Sequence, residues 1–451
     1  MSKLCYPTVD LFIYDLKSPL NLQGKEIEQN RQLFQSRIKD KLKDQAKFIE
    51  AEKENSDSGY QALLKPNFLI LETEHIKGYF YPVLLNDTYG LLVNCSINEK
   101  IEPQAIESSL TTIEQELFKY THHHEKLTIG KTQILSGWLT EETTNVEIIA
   151  KECYKSLVNE PEQWSSNLYG QGKFLNSHIF EIWNPFSDYL DDHLLIILFP
   201  DEATFNKAAK EIYFQDWIRL FCYRHKIMWT YHQSRTIKDV LKNYYKEVDT
   251  ITKKLQLISK NTNNLDQLQA RFQEIQFILD KFTRNLLELN ILKETIEINL
   301  DNYLKLIEIL KKKAGEESNF SFLEKFSNLT ETKYLKQIDK DEASLKLGLQ
   351  LLESNINALR SQIELEKSER DRNFQDLVAI IGGGAATITI LDFEGKTCER
   401  LEKSWPFPQN KANILHCNDF IFNSIITPLL FLLLLVGFAI FLKWIIKKLK
   451  F

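Results

Sequence analysis

Glycine beside an apolar strand, or followed by Lys and Thr, is the pattern that cradles phosphate, and three stretches of this chain invite that reading. The first is VAIIGGGAATITIL, Val378 to Leu391. Gly382 and Gly384 occupy the first two places of a dinucleotide fingerprint, but the third place falls on Thr387, where Gly or Ala is needed. The AATITILDFEG that follows is β-branched and makes a poor helix in water. The second stretch, IGKT at 129–132, ends like a P-loop, yet the required first glycine would be Glu125. The third, YGQGK at 169–173, lacks both the spacing and the Ser or Thr.

Histidine offers little more. His122, His123 and His124 precede Glu125, and consecutive residues do not share a helix face, so they are weak metal candidates at a polar helix end. His75, His178, His193, His225 and His232 stand alone and read as structural side chains. Glu141 and Glu142 suit a solvated helix start. Cys5, Cys95, Cys153 and Cys222 have no metal spacing and read as small buried residues. The aromatic run FQDWIRLFCYRHKIMWTYHQ recurs at helical spacing and reads as a core face. No nucleophile–base–acid set emerges, so the expectation is a non-enzyme without a cofactor.

These residues have to be held by something. Lys plus Arg number 56 and Asp plus Glu 62, a mildly acidic balance that argues against a nucleic-acid partner. Residues 1–233 predict a cytosolic domain of α+β or α/β class. TVDLFIYDL, NFLILE, GYFYPVLL, YGLLVNCSI, KTQILSGWL, HIFEIWNP and DHLLIILFP read as strands, with a turn at Asn86-Asp87. Helices are expected over Gln29–Lys53, Pro103–Tyr120, Asn145–Val158 and Asp201 to about His225. The opening MSKLCYPTVDLFIYDL has no signal-peptide pattern, which places this domain in the cytosol.

Residues 234–373 predict a long helical coiled-coil stalk. Ile237, Leu241, Tyr244, Val248, Ile251, Leu255 and Ile258 alternate by four and three. A second run goes from Leu268 through Phe272, Ile275, Leu279, Phe282, Leu286, Leu289, Lys293, Ile296, Leu300, Tyr303 and Ile307 to Leu310. A third run is Leu345, Leu349, Leu352, Ile356, Leu359 and Ile363. NTNN at 261–264 shifts the register, and KKKAGEESNFS at 311–321 suits a hairpin. A coil between subunits and a bundle within one chain share this geometry.

The C-terminal zone predicts a two-helix transmembrane hairpin. Phe420 to Leu442 carries no charge and, at about 1.5 Å per residue, is long enough for the roughly 30 Å hydrocarbon layer. A basic tail follows at 443–451. With one span that tail would face outward. With a further span at 374–393 it faces the cytosol, as the charge rule requires. Gly382, Gly383 and Gly384, with Thr387 and Thr389, then become pore-lining or helix-packing residues. The external loop 394–419 holds Cys398 and Cys417, a candidate disulfide.

This order of cytosolic domain, stalk, span, short loop, span and basic tail resembles the CorA-type metal-ion transporters over about the last 215 residues. It is also similar to bacterial membrane proteins of the same layout. The CorA resemblance implies a pentamer whose stalk continues into a pore-lining first helix. The Gly-Met-Asn signature should fall near Leu391–Thr397, where this chain has LDFEGKT, so no selectivity residue carries over. The sequence thus predicts an oligomeric, multi-pass protein of a bacterial inner membrane, both termini cytosolic. Its N-terminal domain would bind a cytosolic protein or small molecule and act through the stalk on a channel-like unit. A CorA-like divalent-cation transporter and a membrane-anchored scaffold are the alternatives.

Overall fold

The structure, a computed structural model, describes residues 2–367 except 19–23, 43–45, 50–58, 99–102, 122–126, 141–144, 159–160, 186–192, 213, 259–264 and 317. In chain order its strands are β1 (Lys3–Leu16), β2 (Lys47–Phe48), β3 (Tyr60–Ala62), β4 (Leu64–Lys65), β5 (Leu69–Glu72), β6 (Ile76–Leu85), β7 (Thr88–Ile97), β8 (Gln104–Ala105), β9 (Thr128–Trp138), β10 (Leu168–Phe174), β11 (Ser177–Ile182) and β12 (His193–Phe199). The helices are α1 (Gly24–Ser36), α2 (Lys39–Leu42), α3 (Ile106–Thr121), α4 (Val146–Leu157), α5 (Trp164–Asn167), α6 (Glu202–Glu211), α7 (Phe214–Ile258), α8 (Leu265–Ala314), α9 (Ser321–Leu329) and α10 (Lys336–Lys367). A short π-helical turn, Thr330–Leu335, joins α9 to α10.

The main sheet runs β10-β11-β12-β9-β1-β7-β6-β3, with β5 beside β6 and β8 beside β1. The β12–β9 pair is parallel and its other pairs are antiparallel. Helices cover both faces, which is why the strands are nearly continuous apolar runs. Strand residues alternate between two cores because successive side chains point to opposite faces. Val9, Leu11 and Ile13 of β1 join α1, α3 and α4 in one core, together with Leu194, Ile196 and Leu198 of β12. Phe12, Tyr14 and Leu16, with Leu195, Ile197 and Phe199, face the long helices in the other.

Every segment expected to be a strand contains one. Asn86, at φ +55°, makes the β6–β7 turn in the left-handed region that Asn tolerates. Asn145 and Asp201 cap α4 and α6 through their side-chain oxygens. The helix expected over Gln29–Lys53 is shorter, and β2 occupies part of its range. The helix expected from Asp201 to His225 is two helices, because α6 stops at Glu211 and α7 starts at Phe214.

The long helices fold back on one another. Near the end of α8, Lys313 pairs with Asp216 at the start of α7 at 2.6 Å, so the two run antiparallel. The chain reverses again after α8 at Gly315, φ +75°, within the expected 311–321 turn. Then α10 returns alongside α7, where Lys238 meets Asp341 at 2.6 Å. The heptad residues Ile237, Leu241, Val248, Phe272, Phe282, Leu289, Leu349 and Leu352 are buried in this bundle, so the seam is filled within one chain. At the Lys293 slot Leu292 is buried instead, and Lys293 pairs with Asp339 at 2.7 Å. Helix α7 runs through residue 233 unbroken, and sheet and bundle belong to one compact unit, Met1–Ile363.

The expected fold class needs correction. The mixed sheet and the helices are present, but no helix among the described residues is long and apolar enough to cross a membrane. Helices α7, α8 and α10 have the length, at 45, 50 and 32 residues. Lysine, glutamate and aspartate recur along each of them, as on the outer faces of a bundle in water. The segments read as spans, 374–393 and 420–442, lie outside the described residues, as do the loop and tail around them.

Candidate functional site

Charged and polar side chains meet where the sheet contacts the bundle. Strand β11 supplies Glu181, β12 supplies His193 and β9 supplies Thr132. Pairing sets them side by side on the bundle-facing surface: Glu181 lies opposite Leu195, and His193 lies opposite Thr132. Helix α7 supplies Arg224 and His225, one turn after the buried Phe221.

The geometry is a chain of short contacts. Glu181 Oε1 lies 3.2 Å from His193 Nε2. Thr132 Oγ1 lies 2.9 Å from His193 Nδ1 and 2.8 Å from His225 Nε2. Arg224 Nη1 comes within 3.2 Å of Glu181 Oε1. Its guanidinium sits between two ring faces, 4.3 Å from the centre of Trp183 and 4.2 Å from that of Phe326 on α9. Such a sandwich attracts a desolvated cation. Tyr303 of α8, whose hydroxyl donates to Leu323 O at 3.2 Å, lies beside it. One arginine thus touches the sheet, α8 and α9 from α7.

Burial sets the charges. It pushes the Glu181 carboxyl up to about 7, against the lowering pull of Arg224 and Lys325. Burial, and then Arg224, holds His225 down to about 3 and His193 well below its ordinary value, so both rings are neutral. Two proton orders then satisfy the chain. With Glu181 ionised, His225 donates to Thr132, Thr132 to His193, and His193 to Glu181. With Glu181 protonated, all three bonds reverse.

Carboxylate, imidazole and hydroxyl in series are the parts of an activated nucleophile. Here Thr132, Glu181 and Arg224 are fully buried and His193 is 3% exposed, so no substrate reaches the hydroxyl in this fold. The arrangement holds layers together and stores a choice of protonation. Among the described residues, no group of three or more His, Cys, Asp or Glu is placed to hold a metal ion.

The glycines that suggested phosphate loops serve this region by being small. A Cβ on Gly130 would stand 2.1 Å from His225 Nδ1, so IGKT brings the ring against β9 and supplies Thr132. In YGQGK, a Cβ on Gly170 or Gly172 would come within 2.6 Å of Phe322. These glycines let β10 pass under α9.

The residues singled out as a site from sequence are not among those the structure describes. Gly382, Gly383, Gly384, Thr387, Thr389, Cys398, Cys417, His122, His123 and His124 all lie outside the described residues, as do Glu141 and Glu142. Cys5, Cys95, Cys153 and Cys222 are buried free thiols. His193 and His225, read as structural, are both in the network, and the aromatic run of α7 does form a core face. Arg224 and Glu181 belong to no motif in the sequence. A detectable signal was there: each is a charge on the apolar face of its element, within LFCYRH and HIFEI.

Comparison of the chain with protein-family models, with curated proteins and with solved structures finds no match to any of them.

Proposed function

We propose that Met1–Ile363 works as a binding and relay module, in which an event on the sheet is passed to the helical bundle through the Arg224 clamp. The observation that carries this reading is the position of Arg224. It stands on a 45-residue helix and contacts Glu181 of the sheet and Phe326 of α9. A shift of β11 therefore moves a charge fixed to α7, and α7 is packed along α8 over much of its length. Elements joined by a packed core change arrangement as units, so a local change on the sheet reaches the far bundle.

Glu181 gives the relay two states, because its two protonation forms require opposite hydrogen-bond orders through His193, Thr132 and His225. The test is a pair of spin labels on exposed positions, Lys155 of α4 and Lys254 of α7, in the full chain. Their distance distribution is measured on either side of the Glu181 titration. The expected result is a shift between pH 6 and pH 8 that disappears in Glu181→Gln. Identical distributions at both pH values would overturn the relay.

A further inference from the structure

On the bundle, residues of α7 and α10 line a groove of about 350 Å³. Its floor is apolar and is closed by Tyr245 against Gly348, where even a Cβ would come within 3.3 Å of the ring. One rim is a ridge of Leu347 and Leu351, which are 63% and 58% exposed although each is a large apolar side chain. The other rim is Lys238, Lys242 and Lys246, placed every fourth residue along α7. Lys238 is engaged by Asp341. Lys242 has a 3.5 Å contact to Asp239, whose side chain is 73% exposed. Among the described residues Lys246 meets no carboxylate at ion-pair distance.

We propose that this groove docks an amphipathic helix with an acidic edge. Apolar residues of the guest lie on Leu347 and Leu351, and Asp or Glu residues four apart face Lys242 and Lys246. The spacing supports this guest over others. Lysines four apart on α7 repeat every ~6 Å, the rise of carboxylates four apart on a facing helix. The lysine row runs for ~12 Å beside an apolar trough, whereas a single small anion would use one lysine and leave the leucines bare. An apolar stripe set in a groove with charges along its edge is the geometry of helix-in-groove recognition. The proposal deepens the relay reading by naming what the bundle delivers its change to, and it rests on that reading only for its regulatory meaning.

The test uses the full chain and a fluorescent peptide about three heptads long, with a leucine stripe and Glu at every fourth position beside it. Two companion peptides carry Gln or Lys in place of Glu. Fluorescence anisotropy should show the Glu peptide binding about tenfold more tightly than the Gln peptide. The Lys242→Glu, Lys246→Glu double variant should lose that preference and select the Lys peptide. Leu351→Asp should weaken all three. Both variants change exposed side chains, so unchanged circular dichroism certifies their folding. Equal binding of Glu and Gln peptides, or no binding of any, would overturn the proposal. So would binding of phosphatidylserine vesicles that the double variant abolishes while peptide binding stays unmoved, or a self-association that Leu351→Asp disperses. Direct binding is read without the clamp, so a failed relay and a failed groove give different results.

Discussion

Two arginines are buried on opposite faces of the same sheet, and they are treated differently. Every guanidinium nitrogen of Arg37 donates a hydrogen bond. Its Nε and Nη2 each donate to Asp15 at 2.8 Å, Nη2 also donates to Thr128 Oγ1 at 2.8 Å, and Nη1 donates to Tyr120 O at 3.1 Å. Arg224 has two aromatic faces and one 3.2 Å approach to Glu181, while among the described residues its Nε, Nη1 and Nη2 have no partner in hydrogen-bonding geometry. A bidentate fork fixes one arrangement. A cation held by ring faces beside a carboxyl that titrates near neutrality has more than one arrangement within reach. Arg37 is a staple; Arg224 is placed where a change of state can be transmitted.

The contrast can be broken in four ways. Arg37→Met strands the Asp15 carboxylate and should lower unfolding stability by about 3–5 kcal/mol in urea denaturation. A loss below about 1 kcal/mol would erase the distinction. Arg224→Met should cost less, about 2 kcal/mol, because Glu181 can take up a proton instead of remaining a bare charge. Replacing Glu181 by Leu in the same chain should recover most of that loss, whereas additive losses would show that the pair does not act together.

The third is a pH dependence. Glu181 is raised to about 7, so its contribution is complete below the unfolded carboxyl value and is lost as pH rises through 7. His193 and His225 are depressed, so their contributions are complete above the ordinary histidine value and are lost on acidification. Between about pH 6.5 and 4.5 the glutamate offsets one of the two histidines. Glu181→Gln removes the offset and should steepen the acid loss, relative to the parent chain, by about 1.4 kcal/mol per pH unit. Parallel stability–pH curves would show that Glu181 does not carry the proton. The smallest effect is Thr132→Val, about 1 kcal/mol, read in the same denaturation assay.

Much of the sheet was legible in the sequence because it is buried on both faces. LLIILF in β12 and DLFIYDL in β1 are short, apolar and rich in β-branched or aromatic residues, so they read as strands, and the structure sets them between two helical layers. The heptads of α7, α8 and α10 were legible as helices but not as to partner, since a 3.5-residue seam looks the same within a chain and between chains. Strand β10 was hidden because YGQGK alternates glycine with polar residues, and the reason lies in Phe322, far along the chain. Gly130 is like it: IGKT fails as a P-loop, and the reason for its glycine is His225, which no local window contains. Arg224 and Glu181 were hidden by their surroundings, since a single charge in an apolar run is read as noise until the opposite charge is seen across from it.

The clamp is tested most directly by hydrogen–deuterium exchange on the full chain carrying Arg224→Met. If Arg224 joins sheet and bundle, amide exchange rises together in β11, β12, α8 and α9, while β1 and α1 around the Arg37 staple keep their protection. A rise confined to the α7 turn around residue 224, or an equal rise throughout Met1–Ile363, would contradict it.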